Sequence, residues 1–383
     1  MTPFTFNTTP SLRMGAGLAR QLGEIVKPIC GENILFVTDP GMVANGLVGP
    51  VVNTLRAAGL RVTIFDQVQA DPPEAIILQA ADMARHVSGV VGFGGGSSLD
   101  VAKLAALLAA SGQPLAEAYG IGNAKGPRLP LVLVPTTSGT GSEVTPISIV
   151  TTGALEKMGV VSPLILPDVA VLDPELTLGL PAHVTAATGI DAMVHAIEAY
   201  ASANPNNNPV SRALAVEALR LMGRVLQRAV DTPGNIEARS DMMLGSMLAG
   251  QAFANSPVAA VHALAYPIGG HYKVPHGLSN ALVLPHVLRF NAEVAPLAYA
   301  ELLPHVFPQV SDTGVGDAAV KFVEGMAALS RACGLPQNLR DVGIEKEALP
   351  MLACDAMNQT RLLVNNPRPV DEAAALAIYE AAW

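Results

Sequence analysis

Charge is scarce in this sequence. Only 14% of the 383 residues are Asp, Glu, Lys or Arg, and 32 acidic residues outnumber 23 basic ones. No basic run and no interleaving of basic and aromatic residues occurs, which excludes the usual nucleic-acid-binding surfaces. Aromatics make up only 4% of the chain. Its apolar half is carried by Ala, Val, Leu and Gly, which suit tightly packed helices and parallel strands. The three cysteines, Cys30, Cys333 and Cys354, are scattered and form no CxxC pair. Neither a disulfide framework nor a thiolate metal site is indicated, and free thiols in a reducing cytoplasm are expected. The first residues, Met1 to Asn7, hold no basic region followed by an apolar run, so no export signal is expected.

One uncharged stretch, Met242 to Gly270, exceeds the length of a bilayer crossing. It contains Gln251, Asn255, Ser256, Pro257, His262 and Pro267, so it is read as buried helices broken near Ser256–Pro257 and not as a membrane span. The length suggests two domains. In the first half, short β-branched runs such as Ile34 to Val37 and Arg61 to Phe65 alternate with helical stretches, the pattern of a parallel α/β sheet. Beyond Leu176 strand-like runs give way to long helical patterns. The boundary is expected near residue 178, giving an α/β domain over 1–178 and an all-helical domain over 179–383.

Two loops carry the chemistry of the first half. A buried strand ending at Phe93 runs into Gly94, Gly95, Gly96 and Ser97, and then into a helix from Val101. Glycines let a phosphate approach the backbone, and the first N–H groups of the helix point at it. Ser97 is the expected cap of that helix, with Asp100 three residues on. After the strand Leu131 to Val134 comes a run of hydroxyls and glycines, Pro135 to Glu143, able to donate to phosphate or ribose. Lys157, beyond a strand expected over Val144 to Val150, brings a positive charge. Asp39, just past the end of the strand Ile34 to Val37, stands where ribose hydroxyls are often held.

Three of the eight histidines, His262, His271 and His276, crowd one stretch of the second half. About seventy residues upstream, Asp191 and His195 stand at i and i+4 of a helical pattern, so both project from one face. With His262 and His276 they would offer one oxygen and three nitrogens, a set that suits Fe(II), Zn(II) and similar cations. The bland alternative is an Asp and a His that only pair with each other.

These motifs, in this order, resemble the iron-containing (group III) alcohol dehydrogenases over nearly the whole chain. They are Gly94 to Asp100, Pro135 to Glu143, Thr188 to His195, His262 to Gly277 and Asn366-Pro-Arg368. The resemblance implies a Rossmann-like α/β nucleotide domain followed by an all-α domain, the dehydroquinate synthase-like architecture, with the active site in the cleft between them. It implies Asp191, His195, His262 and His276 as metal ligands, with iron or another divalent metal. It implies NAD along Gly95, Gly96, Ser97, Asp100, Thr136, Thr137, Thr140 and Lys157, with Asp39 favouring NAD over its 2′-phosphorylated form. Phe253 matches a position near nicotinamide and substrate. The expected activity is metal-dependent oxidation of small primary alcohols, or reduction of aldehydes, by a homodimer or larger homo-oligomer. Many members carry a histidine four residues after the third ligand; here Tyr266 stands there, so Tyr266, His271 or a water chain alone is expected to handle the proton. Leu362 points to an apolar substrate pocket. Rival readings are a maleylacetate reductase, which would need basic residues beyond Lys273, and a dehydroquinate synthase-like cyclase that uses NAD only transiently.

Overall fold

The computed structural model describes residues 2–153, 156–310 and 314–383. Two compact units emerge, one spanning residues 7–179 and one combining residues 2–6 with 180–383. The first few residues therefore group with the helical unit and not with the α/β unit in which the sequence pattern places them. The cause is local: Thr5 exchanges two backbone hydrogen bonds with the Asn206 side chain, both 2.9 Å.

The strands of the α/β unit are β1 (Ser11–Met14), β2 (Asn33–Val37), β3 (Arg61–Phe65), β4 (Gly89–Gly94), β5 (Gly120–Ile121), β6 (Leu131–Pro135), β7 (Ile147–Thr152), β8 (Glu156–Val161) and β9 (Val169–Leu172). Its helices are α1 (Leu22–Cys30), α2 (Pro40–Ala44), α3 (Val48–Ala57), α4 (Glu74–Ala84), α5 (Gly96–Ser111) and α6 (Leu115–Ala118). Six strands form a parallel sheet in the order β1-β9-β6-β4-β2-β3, and β5, β8 and β7 form a small second sheet. Both faces of the large sheet are covered. Leu35, Val37, Leu131 and Leu133 pack with α4 and α5, while Ile34, Phe36, Val132 and Val134 pack with α1 and α3. Two buried faces explain why these strands read as unbroken apolar runs. The strand expected from Val144 begins only at Ile147, because residues 142–144 form a single 3-10 turn.

From β2 the chain moves to β3 on one side and then returns to β4 on the other. The space beyond the carboxyl ends of β2 and β4 is thus a topological switch point, where open α/β sheets bind ligands.

The helical unit comprises α7 (Ala182–Ala201), α8 (Pro209–Asp231), α9 (Ile236–Asn255), α10 (Ala260–Tyr272), α11 (His276–Ala292), α12 (Pro296–Val306), α13 (Val315–Ala332), α14 (Leu349–Ala356), α15 (Thr360–Leu363) and α16 (Glu372–Ala382). The uncharged stretch falls on α9 and α10, with a non-helical break at residues 256–259. No helix among the described residues is long and apolar enough to cross a membrane. Every residue of α7 from Gly189 to Tyr200 is buried, so α7 is the central helix of this unit. A Cβ at Gly189 would lie 2.4 Å from Leu226 Cδ1 on α8 and 2.9 Å from Met242 Cε on α9. That close packing is what brings polar groups on α7 into the interior.

Candidate active site

Asp191, His195 and Glu198 occupy one stripe of α7 at i, i+4 and i+7, and all three are buried. His262 comes from the first turn of α10, and His276 opens α11. One donor atom from each of Asp191, His195, His262 and His276 lies within 4.8 Å of the other three. Nε2 of His262 and Nε2 of His276 stand 3.9 and 3.7 Å from Asp191 Oδ1. A tetrahedral site with bonds of about 2.1 Å has edges of about 3.4 Å, so a divalent cation needs only a small contraction of this cluster. The imidazoles also stack. His195 and His262 have ring centroids 4.7 Å apart, and Phe253 covers the other face of His195 at 4.3 Å.

The surroundings tune these donors. Glu198 Oε2 lies 2.7 Å from His262 Nδ1, and its Oε1 accepts from the Val261 N–H at 2.7 Å. An ionised carboxylate only accepts, so Nδ1 of His262 carries the proton and Nε2 presents its lone pair to the cluster. Burial alone would push the Asp191 carboxyl up. The three imidazoles and the Asn280 amide outweigh burial and hold it below the usual carboxylate range. A buried carboxylate kept ionised among neutral-capable imidazoles is the donor chemistry of a divalent metal site. Three of the four groups are buried, but the His276 side chain is 40% exposed, so the cluster opens to the surface on that side.

Gly277 sets the distance between α11 and α7. A Cβ there would sit 2.4 Å from the Ala187 carbonyl oxygen and 3.2 Å from Asp191 Cβ. Only a glycine lets His276 approach Asp191 this closely.

The other residues singled out by sequence fare differently. Tyr266, one turn beyond His262, has its ring 5.8 Å from that of His276. His271 lies nine residues beyond His262, which on a helix is half a turn out of phase and about 13 Å along the axis. Its Nε2 meets Asp355 Oδ2 at 2.6 Å near the protein surface. The structure thus brings Tyr266, and not His271, to the cluster. Leu362 is buried on α15, and the neighbouring Asn365 holds this turn to the break before α10 by donating to Val258 O at 3.0 Å. Lys273 is an exposed C-cap of α10.

In the α/β unit, the pieces expected to hold a nucleotide converge at the switch point. Asp39 caps α2 by accepting from the Met42 N–H at 3.1 Å, and its Oδ2 accepts from the Ser98 hydroxyl at 3.1 Å. Gly94 has φ 145°, and a Cβ there would stand 3.0 Å from Asp39 Oδ2. The Thr136 N–H donates to Gly94 O at 3.0 Å. A Cβ on Gly96 would lie 2.8 Å from Thr140 Cγ2, and one on Gly95 would lie 3.8 Å from Thr137. Asp39, the glycine turn and the hydroxyl loop therefore touch one another. Gly95, Gly96 and Ser97 remain partly open to solvent.

Two expected details differ. The cap of α5 is Gly95, not Ser97, and it makes no side-chain hydrogen bond. The Asp100 carboxylate instead turns inward. Ser142 Oγ donates to its Oδ1 at 2.5 Å, and the Ile149 N–H donates to its Oδ2 at 3.0 Å. Beside it Lys103, fully buried, donates to Ser142 Oγ and to Ile147 O, both at 2.7 Å. Burial lowers the Lys103 ammonium from its ordinary value, and Asp100 and Glu143 oppose that shift. Asp100 thus ties the α5 helix to the hydroxyl loop from inside. Lys157 makes none of these contacts; it pairs with Asp71, itself in a left-handed conformation at φ 52°.

Sequence reasoning gave no role to Glu198, Asn280 or Gly277. The spacing that found His195 would have found two of them, since Glu198 is i+7 from Asp191 and Asn280 is i+4 from His276.

The sequence of the iron-containing alcohol dehydrogenase family matches residues 9–174, and its C-terminal region matches residues 185–383. Long-chain-alcohol dehydrogenase 1 of Geobacillus thermodenitrificans is 42% identical over 382 residues, covering 98% of this chain and 95% of that protein. The solved structure of a 1,3-propanediol oxidoreductase superposes with a TM-score of 0.95 at 36% identity, over 100% of both chains. That of sulfoacetaldehyde reductase from Bifidobacterium kashiwanohense, in complex with NAD+, superposes with a TM-score of 0.88 at 28% identity, over 100% of this chain and 99% of the other.

Proposed function

This chain belongs to the iron-containing alcohol dehydrogenase family, and on that premise we propose that it is an NAD-dependent, divalent-metal-dependent alcohol dehydrogenase and aldehyde reductase for small primary alcohols. The observation that carries the reading is the gathering of one carboxylate and three imidazoles within 4.8 Å, exposed on the His276 side. Asp191, His195, His262 and His276 would hold the cation, Fe(II) in the first instance. Bound there, it supplies Lewis-acid polarisation of the substrate oxygen.

The chain's own residues do the rest. Glu198 fixes the tautomer of His262. Phe253 walls the cluster with an apolar ring and keeps water from that side. Tyr266, at the open side beside His276, is the group placed to pass a proton. Asp39 accepts from a ribose hydroxyl and disfavours a 2′-phosphate. The glycine turn with Ser97, Thr136, Thr137 and Thr140 cradles the pyrophosphate, and NAD supplies the hydride chemistry. Asp100 serves this cradle from behind, whereas Lys157 is held by Asp71. The apolar Phe253 and Leu362 favour an uncharged substrate, in keeping with a long-chain-alcohol dehydrogenase among the relatives. A maleylacetate reductase is disfavoured, because the nearest cation in the catalytic stretch, Lys273, is an exposed cap. A cytoplasmic homo-oligomer is part of the same reading and rests on the family alone.

The test is NADH formation and consumption over a panel of primary alcohols and aldehydes of increasing chain length, with dicarboxylates included. Turnover of uncharged alcohols supports the reading. NAD binding without net redox turnover of any alcohol or aldehyde would overturn it and favour a cyclase.

A further inference from the structure

Asn280, one turn after His276 on α11, is wholly buried at the metal cluster. Its amide Nδ2 lies 2.6 Å from Asp191 Oδ1, 3.3 Å from His262 Nε2 and 3.2 Å from His276 Nε2. Exchanging the amide's oxygen and nitrogen would set two acceptor oxygens 2.6 Å apart, so the orientation with nitrogen toward the carboxylate is the one chemistry permits. An amide nitrogen has two protons and here meets three acceptors. Two of those acceptors are imidazole lone pairs that a cation would claim. The Asp191 carboxylate is the partner that remains.

The opposite end of the side chain points to the same role. Asn280 Oδ1 is buried and has no hydrogen-bond partner among the described residues. A buried orphan carbonyl is destabilising, so an amide here works against the stability of its own helix. What it does contribute is a donor aimed at one oxygen of a ligand carboxylate.

The geometry points to Asn280 as a positioning residue of the metal centre. Its N–H fixes the rotation of the Asp191 carboxylate and draws off part of its charge, and so sets both the affinity and the geometry of cation binding. This inference rests on the proposed metal site, and the experiment keeps the two apart.

Zn(II) affinity would be measured by competition with a chromogenic chelator, and the visible spectrum of the Co(II)-loaded protein would report geometry. The proteins are the wild type, Asn280→Ala, Asn280→Leu and His276→Ala, each checked for folding by circular dichroism. Leucine keeps the branched heavy-atom outline of asparagine, with bulkier methyl groups, and removes the donor. The expected result is a 10–100-fold loss of Zn(II) affinity in both Asn280 variants, with a changed Co(II) spectrum. Affinity within twofold of wild type in Asn280→Leu, with an unchanged Co(II) spectrum, would overturn the role of Asn280 while His276→Ala still lost the metal. Wild-type affinity in His276→Ala would instead overturn the metal site itself, and this inference with it.

Discussion

The Glu198 carboxylate and Nδ1 of His262, 2.7 Å apart on neighbouring helices, decide which nitrogen of that ring faces the cluster. Glutamine at position 198 can still accept from the Val261 N–H, but it then turns its NH2 to the imidazole. That forces the proton onto Nε2 and removes the lone pair a metal needs. Glu198→Gln is expected to weaken metal binding by about 10–100-fold without unfolding the chain. Metal titration together with imidazole nitrogen chemical shifts checks it, and a retained Nδ1–H tautomer would count against the assignment.

Gly277→Ala leaves every donor in place, yet its Cβ would meet the Ala187 carbonyl oxygen at 2.4 Å. The start of α11 must then move away from α7 and carry His276 with it. Metal content is expected to fall toward that of His276→Ala, as metal analysis of the purified protein would show.

Lys103→Met leaves the Asp100 carboxylate without its buried cation, while Lys103 itself is 0% exposed. Removing one member of a buried pair is expected to destabilise the protein by about 3 kcal/mol or more. The double variant with Asp100→Asn should recover much of that loss, which equilibrium denaturation measures. The same single variant should raise the KM for NAD more than it lowers kcat, because Asp100 and Ser142 join the two nucleotide loops.

Glu143 is buried 3 residues past Thr140, and burial pushes its carboxyl up from 4.5 to about 7, with Lys103 opposing. A raised folded-state value means that the folded chain favours the protonated form. Its stabilising share is complete below about pH 4.5 and is lost as pH rises through about 7. Glu143→Gln, which stays neutral, should therefore raise Tm relative to wild type at pH 8 and change it little at pH 5. Thermal melts at the two pH values decide it; an equal shift at both would refute the burial argument.

How far the sequence reaches is clear from these residues. Asp191 and His195 were legible because helical spacing alone puts them on one face. The glycine turn was legible because strand, glycines and helix follow one another without interruption. Sequence proximity misled at His271, which is close to His262 and His276 along the chain but turned half a helix turn away and bound to Asp355. The motif assigns Asp100 to the cofactor, whereas its carboxylate is used up on Ser142, Ile149 and Lys103. Asn280 was within reach of the same spacing, one turn after His276, whereas Gly277 acts only across the contact between α11 and α7, which no local pattern reports. The pairing of Thr5 with Asn206 likewise joins positions two hundred residues apart.

The central claim is that the Asp191, His195, His262 and His276 cluster holds the metal on which alcohol oxidation depends. The direct measurement is NADH formation by chelator-stripped protein titrated with Fe(II), and in parallel with Zn(II), alongside His276→Ala. The account predicts no turnover in the stripped protein, recovery that saturates at one metal per chain, and no recovery in the variant. Full turnover by the stripped protein, or equal recovery in His276→Ala, would contradict it.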